Sequence, residues 1–109
     1  MQFIKNIDHE TVLKLTDLVS VQPGQVVSKT LAQNKAVSVT LFAFDKGEEI
    51  STHESGGDAF VTCLDGVGRL TIDGAPHEIR AGESIVMPAR RPHAVYAVER
   101  FKMLLVVVF

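Results

Sequence analysis

Turn signals interrupt this chain about every ten residues, and no other feature constrains its fold as tightly. They are Pro23-Gly24, Asn34-Lys35, Lys46-Gly47, Gly56-Gly57, Asp65-Gly66, Asp73-Gly74, Ala81-Gly82 and Arg91-Pro92. The residues between two such signals suffice for a strand. They leave no room for a helical crossover between parallel strands, so a sheet of βαβ units is excluded. The intervening segments also have strand composition. Val37 to Phe44 carries β-branched and aromatic side chains in partial alternation, and Phe60–Leu64, Gly68–Asp73, Glu83–Met87, His93–Val98 and Phe101–Val108 are similar. Thr71 to His77 reads as a hairpin in which Gly74 supplies a positive φ. The expectation is an all-β fold, a small antiparallel barrel.

With 109 residues the chain has the length of a single domain, 1–109. The barrel is assigned to residues 26–109 and an N-terminal edge segment to residues 1–25. That segment is expected to hold a short helical turn over Val12–Leu15. Asp8 offers a cap to the N–H groups after it, and Ile7 and Val12 are spaced as a hydrophobic staple. Phe42, Phe44, Phe60, Phe101, Leu104, Val106 and Val108 suffice for a barrel core.

Several function classes drop out. Eleven Lys and Arg against thirteen Asp and Glu give a net charge of −2, with no basic excess to meet a phosphate backbone. Nucleic-acid binding is therefore excluded as the main task. The longest apolar run, Met103 to Phe109, is far shorter than the ~20 residues a membrane helix needs. Met1 to Asp8 shows no sustained apolar leader, so the expected location is the cytoplasm. Cys63 is alone, which excludes an intramolecular disulfide and a multi-thiolate metal site.

Four histidines remain: His9, His53, His77 and His93. His9 and His77 have the polar surroundings of surface residues. His53 and His93 stand in patterned stretches. Gly47 to His53 is a glycine, five residues and a histidine, and Gly66 follows at the position that closes the pattern. Gly82 to His93 is a glycine, five residues, Pro88, and a histidine five positions later. These stretches resemble the two cupin motifs, in the right order and at the right separation, over roughly half the chain. The resemblance implies a cupin-like antiparallel barrel, the double-stranded β-helix or jelly roll.

The resemblance also implies a metal site, built from two histidines and a carboxylate of the first motif and one histidine of the second. Here Ser55 stands at the second histidine's position and Ala59 at the glutamate's. Arg90 replaces the glycine after the proline, and Ala97 the closing asparagine. Only His53 and His93 carry over directly, and two imidazoles hold a divalent ion weakly. Asp58 lies one position before the missing glutamate, and Gly56-Gly57 makes a one-residue register change there inexpensive. His53, Asp58 and His93 then form a two-histidine, one-carboxylate set for manganese, iron, nickel or zinc. Glu54 is a weaker candidate, because strand alternation turns it outward when His53 and Ser55 point inward.

Ser55, Arg90 and Arg91 are candidates for binding a ligand. The two arginines precede His93 in a loop that the resemblance places near the cavity mouth. Guanidinium groups there suit an anionic substrate such as a carboxylate, and the alternative is an ordinary solvated loop. Arg90 in place of a glycine also suggests a backbone with no need for a glycine-only conformation. Tyr96 is expected to face outward, Cys63 to be a buried inert thiol, and Met87 and Met103 to fill the core. An apolar wall around the two histidines would keep their imidazoles neutral.

Three readings stay open. One is a metal-dependent enzyme, an oxygenase or isomerase. Another is a metal-free module that binds a small sugar or carboxylate. The third is a structural or interaction barrel. A homodimer is expected, because a small barrel leaves open strand edges and Met103 to Phe109 offers a run to pair or pack across a two-fold axis.

Overall fold

The computed structural model describes residues 2–109, so Met1, the first residue of the stretch read for a leader, lies outside it. Among the described residues there are seven strands: β1 (Val26–Gln33), β2 (Val37–Phe44), β3 (Glu49–His53), β4 (Asp58–Ile72), β5 (Ala75–Arg80), β6 (Ser84–Met87) and β7 (His93–Val108). Every pairing between them is antiparallel. The sheet runs β1-β2-β7-β4-β5, with β3 added to β7 and β6 added to β4. This is the antiparallel barrel that the turn spacing implies, in the jelly-roll form that the motif resemblance implies. Among the described residues no helix is long and apolar enough to cross a membrane.

Strands β4 and β7 are 15 and 16 residues long and join the two faces of the barrel. The sequence reading splits each into two strands, and it takes Asp65-Gly66 for a turn. The structure places a bulge there, with register breaks between Cys63 and Asp65 and between Gly66 and Gly68. Gly66 has φ of 77°, and a Cβ on it would overlap the carbonyl oxygen of Arg100. A glycine bulge bends a strand without ending it. One half of β4 therefore pairs with Phe101–Val108 beside β2 and β6, and the other half pairs with His93–Ala97 beside β3 and β5. Because β7 pairs on both sides, its apolar C-terminal run has no free edge to pair with another chain.

The main core fills the space between the two faces, around Phe44, Phe101, Leu70 and Val61. A second apolar cluster lies on the outer face, where Ile7, Leu15, Leu18, Val19 and Val21 cover Leu31, Leu41 and Ala43. Two core assignments change side. Phe60 is 44% exposed and Val108 is 56% exposed, because Ala59, Val61 and Val107 take the inward positions of the alternation. Phe42 is half-buried, and Leu104 and Val106 are half-buried on the outer face.

The expected helix over Val12–Leu15 does not form. A single 3-10 turn spans Leu15–Leu18, and Val12 is fully exposed and staples nothing. Tertiary anchors override the local signal. The Lys5 N–H donates to the Leu31 carbonyl at 2.8 Å, and the Asn6 side chain donates to the Thr30 carbonyl at 2.8 Å. Positive φ at Asn6 and Glu10 bends the segment along β1 before it could wind.

Candidate functional site

His93 opens β7 and pairs in register with His53, the last residue of β3. Their rings meet at a centroid distance of 4.3 Å in a T-shaped arrangement. The two Nε2 atoms are 3.0 Å apart. Each Nδ1 instead faces a main-chain carbonyl two residues upstream, that of Ser51 at 2.9 Å for His53 and that of Arg91 at 3.1 Å for His93. A carbonyl only accepts, so both of these contacts are hydrogen bonds in the tautomer that carries the proton on Nδ1. A neutral imidazole protonated at Nδ1 presents a bare Nε2 lone pair. In that tautomer the two Nε2 lone pairs face one point.

The pair forms the polar end of a cavity of about 240 Å³. Glu54 and Ser55 lie on the same wall, and Phe42, Ile50, Met87, Val95, Met103, Leu105 and Val107 make the rest largely apolar. His93 is 2% exposed, whereas His53 is exposed at the mouth. Burial, and then the neighbouring His53, hold the His93 pKa below the ordinary imidazole value. The Arg91 carbonyl and the Glu54 carboxylate pull the other way with less effect.

Ser55 does line this cavity. Its hydroxyl accepts from the Gly57 N–H at 3.3 Å, and its carbonyl accepts from the Arg90 N–H at 2.8 Å. That last bond ties the two motif loops together. Asp58 is not brought to the histidines. Its Oδ1 accepts from the Ala89 N–H at 2.8 Å, away from the lining residues. Among the described residues, no three His, Cys, Asp or Glu side chains are grouped to hold an ion. Neither arginine lines the cavity. Arg91 is ion-paired with Asp73, and Arg90 is exposed. The backbone at Arg90 does adopt the glycine-type conformation, with φ of 59°, contrary to the relaxed backbone its identity suggested.

Glu54 is the residue that the alternation argument misplaced. Strand β3 ends at His53, so no alternation carries on to turn Glu54 outward. Tyr96 lies outside the cavity, with the Arg69 guanidinium 5.0 Å above its ring. Cys63 is buried, and burial pushes its thiol pKa up to about 11. Met87 and Met103 are buried core residues that also form cavity wall.

A family model described as the cupin domain matches residues 40–109. The chain belongs to the cupin family. Among solved structures, this cupin is 50% identical to a conserved protein of unknown function from Streptococcus pyogenes, with a TM-score of 0.97, over 99% of this chain and 95% of that one. It is 33% identical to a cupin superfamily protein from Desulfitobacterium hafniense, with a TM-score of 0.93, over 97% of each chain. Among curated proteins, it is 32% identical over 72 residues to dimethylsulfoniopropionate lyase DddW from Ruegeria pomeroyi, which is 66% of this chain and 47% of that protein. The chain thus spans about half the length of that curated relative.

Proposed function

We propose that this cupin binds a small carboxylate in its cavity, through a divalent transition metal ion held between His53 and His93. The observation that carries this reading is the convergence of the two Nε2 atoms, 3.0 Å apart, while each Nδ1 faces a main-chain carbonyl. Two lone pairs at that distance repel unless a positive centre lies between them. An extra proton between them would charge the pair, which burial and the His53 neighbour oppose at His93. Manganese, iron, nickel and zinc all suit imidazole ligands.

The residues divide the work. His93 would hold the ion from the buried side and His53 from the exposed side. The apolar wall keeps water from the ligand's carbon skeleton. An engineered apolar cavity of about 150 Å³ takes benzene, so this one suits a ligand of about ten non-hydrogen atoms. His53, His93 and Glu54 offer no cation to a carboxylate, so the anion needs the ion as its partner. Once bound, such an ion polarises a coordinated oxygen as a Lewis acid. A propionate is also what the curated relative's name says that protein acts on.

The presence of only two of the four usual ligands, His53 and His93, favours a second reading, a metal-free module. There a hydroxyl or ammonium group of the ligand donates to the two bare nitrogens. Calorimetric titration with manganese, ferrous iron, nickel and zinc separates the two. The metal reading predicts one ion per chain, lost in His53→Ala and in His93→Ala, and small carboxylates that raise the melting temperature only with the ion present. No binding of any of the four ions would overturn it. A melting shift with small sugars alone would then support the second reading.

A further inference from the structure

Pro88 to Pro92 join β6 to β7 and end at His93. The bonds of this loop run mainly to other segments. The Ala89 N–H donates to Asp58 Oδ1 at 2.8 Å, and the Arg90 N–H donates to the Ser55 carbonyl at 2.8 Å. The Pro92 carbonyl accepts from the Asp73 N–H at 2.9 Å, and the Asp73 carboxylate pairs with the Arg91 guanidinium. The Arg91 carbonyl is the one that His93 Nδ1 faces, at 3.1 Å. Within the loop, the Arg91 N–H reaches the Pro88 carbonyl only at 3.4 Å. The loop is therefore held from outside rather than by its own turn.

It needs that support. Arg90 keeps φ of 59° with a full side chain. A left-handed backbone at a residue other than glycine costs free energy and persists only where its surroundings over-determine it. Here the bonds at Ala89 and Arg90 pin the bend to the first-motif segment. We infer that Asp58 is a positioning residue for His93. By fixing the Ala89 N–H, its carboxylate keeps the left-handed bend at Arg90, and with it the Arg91 carbonyl that orients the imidazole. The Ser55 bond joins main chain to main chain, so of the two ties only the Asp58 one depends on a side chain. Without it Arg90 relaxes toward negative φ, the Arg91 carbonyl turns, and the ring loses the partner that holds it. Asp58 thus acts on the site although it supplies no atom to the cavity wall. The inference rests on His53 and His93 being the site, and it extends the proposed ion site to its outer support. Loss of such a support typically weakens metal binding about 10–100-fold.

Asp58→Ala and Asp58→Asn test it on the full chain, by histidine-ring nitrogen spectra without metal and by calorimetric titration with zinc. Asp58 is exposed at the start of β4, so neither variant disturbs the core. Asp58→Ala is expected to move the His93 Nδ1 signal, to leave those of His9 and His77 in place, and to weaken zinc binding about tenfold. Asp58→Asn keeps an acceptor oxygen and is expected to keep the wild-type ring signal and zinc affinity. A role in stability alone would lower the melting temperature and leave the His93 signal where it is, which would overturn the inference. Equal damage from both variants would also overturn it, since the charge and not the bond would then matter. A wild-type Ala89 N–H that exchanges with solvent as fast as an open loop would overturn it without any variant. A His93 signal that moves in Asp58→Ala alone, with no zinc bound even by the wild type, would support the inference and remove the ion.

Discussion

His93 reaches the pocket on a strand of 16 residues paired on both sides, whereas His53 reaches it at the end of a five-residue strand paired on one side. The ladder of β3 holds at Glu49 and Ile50, breaks, and resumes only at His53. His93 is buried and His53 is exposed. The two rings touch, yet one is fixed by the core of the sheet and the other by an edge that opens at low free-energy cost. The lesson is that the second motif supplies the fixed wall of the site. The first motif supplies an adjustable arm at its mouth.

The strongest way to break this contrast is through glycine. Gly66 closes the first motif but lies in β4, where it holds the bulge opposite Phe101 of the strand that carries His93, and a side chain there meets the Arg100 carbonyl. Gly66→Ala is expected to cost more than about 4 kcal/mol and to prevent folding, seen as loss of the urea transition. Gly56, two residues after Glu54 in the first motif, has nothing within 4 Å of an added Cβ. Gly56→Ala is expected to stay within about 0.5 kcal/mol of wild type. Equal losses would mean that both halves of the site are held alike.

The histidines themselves give the next effect. His93→Ala opens a cavity in a buried wall and removes the donor to the Arg91 carbonyl, and about 1–3 kcal/mol of unfolding free energy should be lost. His53→Ala removes an exposed side chain, with a loss of at most about 0.5 kcal/mol. Both should abolish ion binding, so the stability difference isolates the structural role. Acid titration sharpens the same point. The His93 pKa is lowered in the fold by burial and by His53, so the unfolded chain takes up that proton first. Stability from a neutral His93 is therefore complete above the unfolded value, about 6.5, and is lost as pH falls through the lowered folded value. The melting temperature should fall as pH drops from neutral toward 5, and His93→Gln should flatten that fall.

The smallest effect concerns Arg90, whose backbone sits in the left-handed region. Arg90→Gly relieves that strain and loses a little to the freer unfolded chain, and a net gain of about 0.5 kcal/mol is expected in urea unfolding. A loss instead would show that the side chain makes a contact worth more than the strain.

How much of this the sequence revealed follows from which interactions are local. Turn chemistry is local, so the all-β antiparallel barrel was legible from glycine and proline spacing, and the resemblance to the two cupin motifs singled out His53 and His93. Side-chain parity is hard to read where both faces of a strand are apolar, as in Met103 to Val108. Gly66 joins two apparent strands, and Phe60 and Val108 fall on the outer face although their composition suits a core. Glu54 was hidden because alternation was extended past the last residue of β3. Asp58 was placed at the metal by a register slip, while in the fold its carboxylate caps the Ala89 N–H. The N-terminal helix signal at Asp8 lost to bonds with β1 that lie more than twenty residues away in sequence.

The most direct test of the central claim, that two bare Nε2 atoms converge to hold an ion, is a long-range proton–nitrogen correlation spectrum of the histidine rings. It would be recorded at about pH 7.5, before and after stoichiometric zinc. The account predicts that His53 and His93 are both protonated at Nδ1 and that both Nε2 signals shift together on addition of zinc. An Nε2–H form of either ring that persists with zinc present would contradict it. The pair would then be an ordinary imidazole–imidazole hydrogen bond with no place for an ion.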